Sequence, residues 1–314
     1  MPEVKIIAIL LLWTVAAAAA TLRLGIIGTD TSHVTAFTQI LNDELSPEHV
    51  PGGQVVAAYK GGSPDIEESA SRVDKYADEL RTKWNVRIYD SIPELCRNVD
   101  AVLLESIDGR THLKQAREVF ASHKPVFIDK PLAATLRDAR EIARLAAAAG
   151  VPWFSSSSLR FGEIASSMKF ADATGVGTWG PGPLEPHHQL DLAWYAIHPI
   201  ELLYTLMGPG CEEVSRTSSA DADVMVGRWK GGRIGTVRAI RPYSDYGAIV
   251  FRPKRIMESP SGPAGSYRPL VVAIMKFFAT GQPPVANSET LEIFAFMDAA
   301  QRSKDEGGRP MRLR

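Results

Sequence analysis

The chain has 314 residues, a formal net charge of −1 and 45% hydrophobic residues. This length and composition allow two ordinary domains with sizeable cores. The near-neutral charge, without a run of basic residues, argues against a nucleic-acid partner. The two cysteines, Cys96 and Cys211, are too few for a disulfide framework and have no metal-type spacing, so we expect two buried thiols.

Residues 1–20 have the pattern of a secretory signal peptide. Lys5 precedes an apolar run over residues 6–20 that ends in a series of alanines. The run is short for a membrane span, which needs about 20 apolar residues. We therefore expect export by the general secretory route, cleavage after Ala20, and no membrane association of the mature chain from Thr21. An uncleaved N-terminal anchor is the alternative.

From residue 21 to about residue 150, short apolar runs alternate with helical patterns. The helix over 136–149 is the best marked, because Thr135 begins a capping-box variant and Gly150 is a helix-stop glycine. Alternation of this kind predicts a doubly wound, parallel sheet of the Rossmann type. The runs of strand length cover 22–28, 54–59, 86–89, 101–105, 126–128 and 152–155.

The pattern of residues 151–314 is that of an α+β domain. Strand-like runs cover 222–229, 233–241 and 248–251, and the short turn Lys230–Gly232 joins the first two. Such a turn favours antiparallel pairing, so we expect an open, largely antiparallel sheet. A stretch rich in glycine and proline covers 175–186. Helical patterns cover 163–173, 194–207, 269–280 and 288–304.

The turn after the first strand departs from the glycine pattern of dinucleotide sites. That pattern is Gly-x-Gly-x-x-Gly, in which glycines let the backbone approach a pyrophosphate. Gly28 takes the first position, whereas Asp30 and His33 stand where the later glycines belong. An aspartate there would repel a pyrophosphate unless its carboxylate capped the next helix, for which Asp30, Thr31 and Ser32 are all suited. A capped turn without a nucleotide is the other interpretation.

The end of the second strand bears on the choice between NAD and NADP. Sites for NAD usually place an acidic residue there, about 20 residues after the glycine motif, to bind the ribose. Here Lys60 is followed by two glycines and Ser63, with no carboxylate at the strand end. A lysine and a serine would suit the 2′-phosphate of NADP, although an ordinary surface lysine is an equally simple interpretation.

The fifth strand ends in Asp129, Lys130 and Pro131. Ligands of open α/β sheets bind in the crevice beyond the carboxyl ends of the strands, so a lysine placed there can meet a substrate. The proline restricts the local backbone and helps to aim the lysine. Taken alone, Lys130 would be interpreted as a solvated loop lysine.

Together with Gly28, Ser106, His112, Arg160-Phe161 and His198, this motif resembles the Gfo/Idh/MocA-type family of nicotinamide-dependent sugar and polyol dehydrogenases. The Lys-Pro pair is its most specific motif, and relatives usually have Glu-Lys-Pro where this chain has Asp-Lys-Pro. The resemblance covers nearly the whole chain after residue 21. It implies hydride transfer between NAD or NADP and a small carbohydrate or polyol, and it leaves a homodimer or homotetramer open.

The resemblance also implies residue roles. Lys130 would bond the reacting hydroxyl and His198 would accept its proton, although which of the two is the base stays open. Glu201, one helical turn from His198, would orient the imidazole, since Trp194 replaces the aspartate that supports the histidine in relatives. Contacts to the cofactor are expected from Gly28, Thr29, Asp30, Thr31, Ser32, His33, Lys60, Ser106, His112 and Asp129. Contacts to the substrate are expected from Arg160, His187, His188, Tyr195 and Glu201.

Other functions stay open. A metal-dependent lyase or hydrolase would use Glu185, His187 or His188, His198 and Glu201, because imidazole and carboxylate bind zinc and iron. Adjacent histidines rarely bind one metal together, and we expect no metal. A non-catalytic carbohydrate-binding protein would account for the altered turn and the export signal. An exported enzyme that keeps its nicotinamide tightly bound is a further alternative.

Overall fold

The computed structural model describes residues 20–314. The expected signal peptide, except for its last residue, lies outside the described residues. Among residues 20–314 no helix combines the length and the hydrophobicity that a membrane span needs.

The apolar runs of the first half form a parallel sheet with the strand order β3-β2-β1-β4-β5-β6. This is the order of a Rossmann sheet, and it confirms the predicted doubly wound fold. The central strands are buried along most of their length because helices cover both faces. The strands are β1 (Leu22–Ile27), β2 (Gly53–Tyr59), β3 (Arg87–Tyr89), β4 (Ala101–Leu104), β5 (Val126–Ile128) and β6 (Trp153–Ser155). The sheet therefore extends to Ser155, beyond the boundary at residue 150 that the sequence suggests.

Capping side chains begin several helices of this domain. Thr31, Ser91, Asp108 and Thr135 each accept a hydrogen bond from a backbone N–H of the helix that follows. The last helix has its predicted bounds and ends at Gly150, with a φ of 65°. The helices are α1 (Ser32–Asn42), α2 (Glu67–Ala70), α3 (Val73–Trp84), α4 (Ile92–Arg97), α5 (Gly109–Ala121) and α6 (Leu136–Ala149).

The second domain is built on a sheet with the order β12-β11-β7-β10-β9-β8-β13. Only the β7–β10 pair is parallel among the described strand pairs of this sheet, which confirms the largely antiparallel prediction. The strands are β7 (Gly175–Pro181), β8 (Cys211–Ser218), β9 (Ala222–Trp229), β10 (Ile234–Ile240), β11 (Gly247–Arg252), β12 (Arg255–Glu258) and β13 (Met311–Arg312).

Helices α7 (Glu163–Ser167), α8 (Ile197–Met207), α9 (Arg268–Thr280) and α10 (Asn287–Asp305) complete the fold. The first ends earlier than the predicted 163–173, and a 3₁₀ turn at Asp191–Ala193 precedes α8. Helix α9 returns to the first domain, where Leu270, Ile274 and Phe277 share a core with residues of the parallel sheet and α1. This return packs α9 against the first domain.

Candidate active site

Lys130 and His198 line one cavity between the two domains. Lys130 follows β5 in the first domain, and His198 lies in the first turn of α8 in the second. The cavity has a volume of about 120 Å³. The Lys130 ammonium lies 5.9 Å from the centroid of the Tyr195 ring, one of several aromatic rings in the walls. These rings belong to Trp194, Tyr195, Tyr243, Tyr246 and Tyr267.

The surroundings of His198 keep its imidazole neutral. Its Nδ1 lies 2.7 Å from the Ser157 hydroxyl, and its ring meets Tyr195 and Tyr246 edge-on. Burial, together with the nearby positive charge of Lys130, holds the pKa of His198 well below its ordinary value. Its Nε2 makes no hydrogen bond to any described residue. A neutral imidazole of this kind can accept a proton at neutral pH.

The orienting partner of His198 is Ser157 and not Glu201. The Glu201 carboxylate is bound by Arg160, whose Nε lies 2.5 Å from Oε2. Ser157 belongs to the run of serines that follows β6, which the sequence shows as a loop. A polar run at the carboxyl end of a parallel strand was the available signal for this contact.

The turn after β1 is tight and buried. Gly28 has a φ of 89°, and a Cβ there would lie 2.4 Å from the backbone nitrogen of Ser106, so only glycine fits. Thr31 caps α1, because its hydroxyl accepts from the His33 N–H at 3.0 Å. Asp30 does not cap the helix. Its carboxylate is fully buried and accepts hydrogen bonds from Ser69 and from the backbone of the loop after β4.

Two carboxylates lie side by side where β4 and β5 end. Leu104 pairs with Ile128 in register, so Glu105 and Asp129 leave the sheet at the same level. Asp129 accepts a bond from His33, with 2.7 Å between Oδ2 and Nδ1. Burial, and then the charge of Asp129, raise the pKa of Glu105 well above its ordinary value. Glu105 was not among the predicted site residues, although an acidic residue that ends an apolar strand was a usable signal.

The comparisons agree with the geometry. Residues 22–156 match the family model described as the oxidoreductase family with an NAD-binding Rossmann fold. Over these residues the chain is similar to the Gfo/Idh/MocA oxidoreductase family. This confirms the family that the Asp-Lys-Pro motif indicated. A search of curated proteins found no match.

Solved structures share nearly the whole fold with this chain at low sequence identity. The probable dehydrogenase from Thermotoga maritima is 22% identical, with a TM-score of 0.74 over 93% of this chain and 99% of that chain. The myo-inositol dehydrogenase from Lactobacillus casei, solved with NAD(H) and myo-inositol, is 17% identical, with a TM-score of 0.74 over 94% and 97%. The myo-inositol 2-dehydrogenase from Lactobacillus plantarum is 14% identical, with a TM-score of 0.75 over 94% and 100%.

In this chain, residues 60–72 lie across the turn where a Rossmann domain holds a dinucleotide. We call them the covering segment. The Lys60 carbonyl accepts from the Thr29 N–H at 2.7 Å. The Ser63 hydroxyl donates to Asp108 at 2.5 Å, beyond β4. Ile66 is buried against Ile107 and Trp194. The pyrophosphate of a dinucleotide lies over this turn. Thr29 and Asp30 of the turn are fully buried here, so we expect the covering segment to move when a dinucleotide binds.

The NADP contacts suggested by the sequence are engaged elsewhere. Lys60 is exposed, and its ammonium pairs with Asp74 at 2.8 Å. Ser63 donates to Asp108 as described above. Neither side chain is therefore free for a 2′-phosphate in this conformation.

Ser106 and His112 shape the loop after β4 from inside the protein. Both are fully buried. The Ser106 hydroxyl donates to Gln115 at 3.0 Å. His112 places Nε2 2.7 Å from the Ser106 carbonyl and Nδ1 3.3 Å from that of Leu132. Burial lowers the pKa of His112. Neither residue lines the cavity.

Four of the five expected substrate residues also lie outside the cavity walls. Arg160 pairs with Glu201 and, through Nη1, with Glu289 at 2.7 Å. His187 lies near the surface beside Glu185. His188 is buried, with Nε2 2.9 Å from an Asp108 oxygen. The donors proposed for a metal-dependent lyase therefore do not converge. Of the expected substrate residues, only Tyr195 lines the cavity with Lys130 and His198.

Proposed function

We propose that this chain is a nicotinamide-dependent oxidoreductase that acts on a CH–OH group of a small sugar or polyol. The family match supports the reaction class. The main support is that Lys130 of the first domain and His198 of the second line the same cavity. The lowered pKa of His198 keeps its imidazole neutral there. The volume of about 120 Å³ is small beside the roughly 300–1,000 Å³ of drug-sized ligand sites. It favours a single ring over an oligosaccharide.

Lys130 and His198 have different roles at the reacting CH–OH group. The Lys130 ammonium donates a hydrogen bond to the substrate oxygen and stabilises negative charge that develops there. His198 accepts the hydroxyl proton, because its imidazole is neutral and its Nε2 is uncommitted among the described residues. Ser157 fixes the ring through Nδ1. The aromatic walls cover the apolar faces of a carbon ring. Nicotinamide, when bound, supplies the hydride acceptor or donor.

NAD or NADP is the cofactor we propose, on the strength of the family match and of the similar myo-inositol dehydrogenase solved with NAD(H). Binding requires the covering segment to move. We also propose that the signal-like residues 1–20 direct export. An exported enzyme leaves the cytoplasmic pool of nicotinamide behind, so a tightly retained cofactor would suit it.

The closed turn favours one other candidate, a carbohydrate-binding protein without redox chemistry. Thr29 and Asp30 are fully buried beneath the covering segment, whereas an open dinucleotide site would expose them. This candidate retains the aromatic cavity and makes no use of a nicotinamide. The two functions therefore differ in nucleotide binding and in turnover.

The test uses the mature chain from Thr21. Nucleotides released on denaturation are identified, NAD(H) and NADP(H) are titrated by calorimetry, and hexoses and inositols are assayed for cofactor reduction. Released or bound nicotinamide with turnover supports the oxidoreductase. Sugar binding without nucleotide binding or turnover supports the carbohydrate-binding protein.

Two variants then test the site. Lys130→Met and His198→Gln should each lower kcat/KM by roughly 10²–10⁴-fold, the range for a positioned acid or base. The controls are Lys254→Met, on an exposed hairpin, and His123→Asn, at an exposed turn position with a φ of 52° that asparagine tolerates. Wild-type turnover in both site variants would show that the reaction takes place elsewhere.

A further inference from the structure

Three ligand-type side chains converge where the central strands of the parallel sheet end. Glu105 follows β4, Asp129 follows the adjacent β5, and His33 lies in the first turn of α1, which follows β1 on the other side of β4. One nitrogen or oxygen atom from each residue lies within 4.8 Å of the others. The strand register brings the two carboxylates together, so their proximity is a property of the fold.

The buried carboxyl group of Glu105 has no hydrogen-bond partner among the described residues. Glu105 is 0% exposed. Asp129 is also 0% exposed, and its Oδ1 has no described partner either. Buried carboxylates are normally hydrogen-bonded, paired with a cation or bound to a metal. The unpartnered oxygens of Glu105 and Asp129 therefore call for a proton or a bound cation at this position.

The nearby basic side chains do not fill this role. His33 bonds one oxygen of Asp129 and leaves Glu105 unbonded. Lys130 is adjacent in sequence, but its ammonium lies over the Tyr195 ring. In the described part of the chain Lys130 forms no ion pair with either carboxylate. No described side chain therefore places a positive charge between the three donors.

We propose that His33, Glu105 and Asp129 bind a divalent first-row transition-metal ion. One imidazole and two carboxylates form a donor set that suits Zn²⁺, Mn²⁺ or Fe²⁺. Three protein ligands leave coordination positions open, as in catalytic metal sites. His33 also lines the cavity that holds Lys130 and His198, so the proposed metal site adjoins the proposed substrate site. The site differs from the Glu185–His188 donors that the sequence suggests.

The test measures metal binding by the mature chain from Thr21, without substrate or nicotinamide. Protein dialysed against a chelator is titrated with Mn²⁺ and with Zn²⁺ by calorimetry, and melting temperatures are compared. We expect one ion per chain for at least one of the two metals, and a rise in melting temperature when it binds. Glu105→Gln should weaken binding by at least about 100-fold, the upper range for loss of an outer-shell partner, and should abolish the rise.

The matched control is the double variant Glu185→Gln/His187→Gln, which removes the same donor types from a pair outside the cavity and should bind as wild type does. If Glu105→Gln does not fold by circular dichroism, Asp129→Asn replaces it, with the same expectation. Absence of a stoichiometric ion would overturn the proposal and would indicate a proton shared by Glu105 and Asp129. Equal affinity in wild type and Glu105→Gln would also overturn it. Because no turnover is measured, neither result depends on the proposed oxidoreductase activity.

Discussion

Release of the covering segment should make a dinucleotide bind more tightly. Two serine hydroxyls hold the segment to buried carboxylates, Ser63 to Asp108 at 2.5 Å and Ser69 to Asp30 at 2.6 Å. The Ser69 hydroxyl also accepts from the Ser63 N–H at 2.8 Å. The double variant Ser63→Ala/Ser69→Ala removes these bonds and leaves the carboxylates of the binding turn in place.

The size of the effect follows from the bonds that are lost. A hydrogen bond to a charged group contributes about 1.5–3 kcal/mol. Asp108 keeps Arg110 and His188, and Asp30 keeps the Ile107 N–H, so the lower value applies to each serine. Two bonds then shift the equilibrium towards the open form by about 3 kcal/mol, which is roughly 100-fold. If only the open form binds, the apparent Kd for NAD(H) falls by up to about the same factor.

Two measurements on the same samples decide the matter. Hydrogen exchange of residues 60–72 reports opening, and calorimetric titration with NAD(H) reports affinity. Ser71→Ala is the control, since this serine lies in the same segment and is exposed, and among the described residues its hydroxyl bonds only the Glu68 carbonyl, at 3.4 Å. Faster exchange in the double variant with unchanged or absent NAD(H) binding would refute the reasoning, because the segment would be open without admitting the dinucleotide.

Three further predictions concern stability and reactivity. Arg216→Met should lower the free energy of unfolding in urea by about 3 kcal/mol, the lower end of the range for a broken buried ion pair, because Asp191 keeps Lys304 and Asp223 keeps Arg241. Although burial opposes it, bonding to Arg216 lowers the pKa of Asp223 from 3.8. The ionised Asp223 therefore stabilises the folded state fully above about pH 3.8, and this stabilisation is lost as the pH falls further. The free energy of unfolding should therefore decrease less with falling pH in Asp223→Asn than in wild type. Burial raises the pKa of the Cys211 thiol to about 12 and raises that of Cys96. A thiol reagent at pH 8 should therefore label neither before unfolding and both after it.

The sequence predicts the first domain well because its signals are local. Continuous apolar runs bounded by caps and glycines specify parallel strands and helices, and the helix Leu136–Ala149 has the predicted bounds. The strand β7 was interpreted as a glycine-rich and proline-rich stretch, although it lies inside the second sheet. Its glycines mark close packing and not a loop. A Cβ at Gly180 would lie 2.5 Å from the Tyr246 ring, a contact that only the folded structure reveals.

In the candidate site, too, the features with local sequence signals could be predicted and the long-range contacts could not. The rule that ligands bind at the carboxyl ends of parallel strands placed Lys130 at the expected site, and the family resemblance then favoured it over a solvated loop lysine. The hydrogen-bond partners of the other site residues depend on contacts between segments that are distant in sequence. His33 meets Asp129 across 96 positions, and Ser157 meets His198 across 41. A single sequence carries no record of such pairs, so Glu201 was assigned to His198 from helical spacing alone.

The charge balance at the carboxyl edge links the cofactor to the proposed cation. Acidic residues follow β1, β4 and β5 as Asp30, Glu105 and Asp129, where a Rossmann domain that binds a dinucleotide presents glycines and a helix amino terminus to a pyrophosphate. A pyrophosphate adds further negative charge beside these buried carboxylates, where the repulsion is only weakly screened. A divalent cation bound by Glu105, Asp129 and His33 would offset that repulsion. Cation and dinucleotide should therefore bind with positive coupling, each increasing the affinity of the other by the same factor.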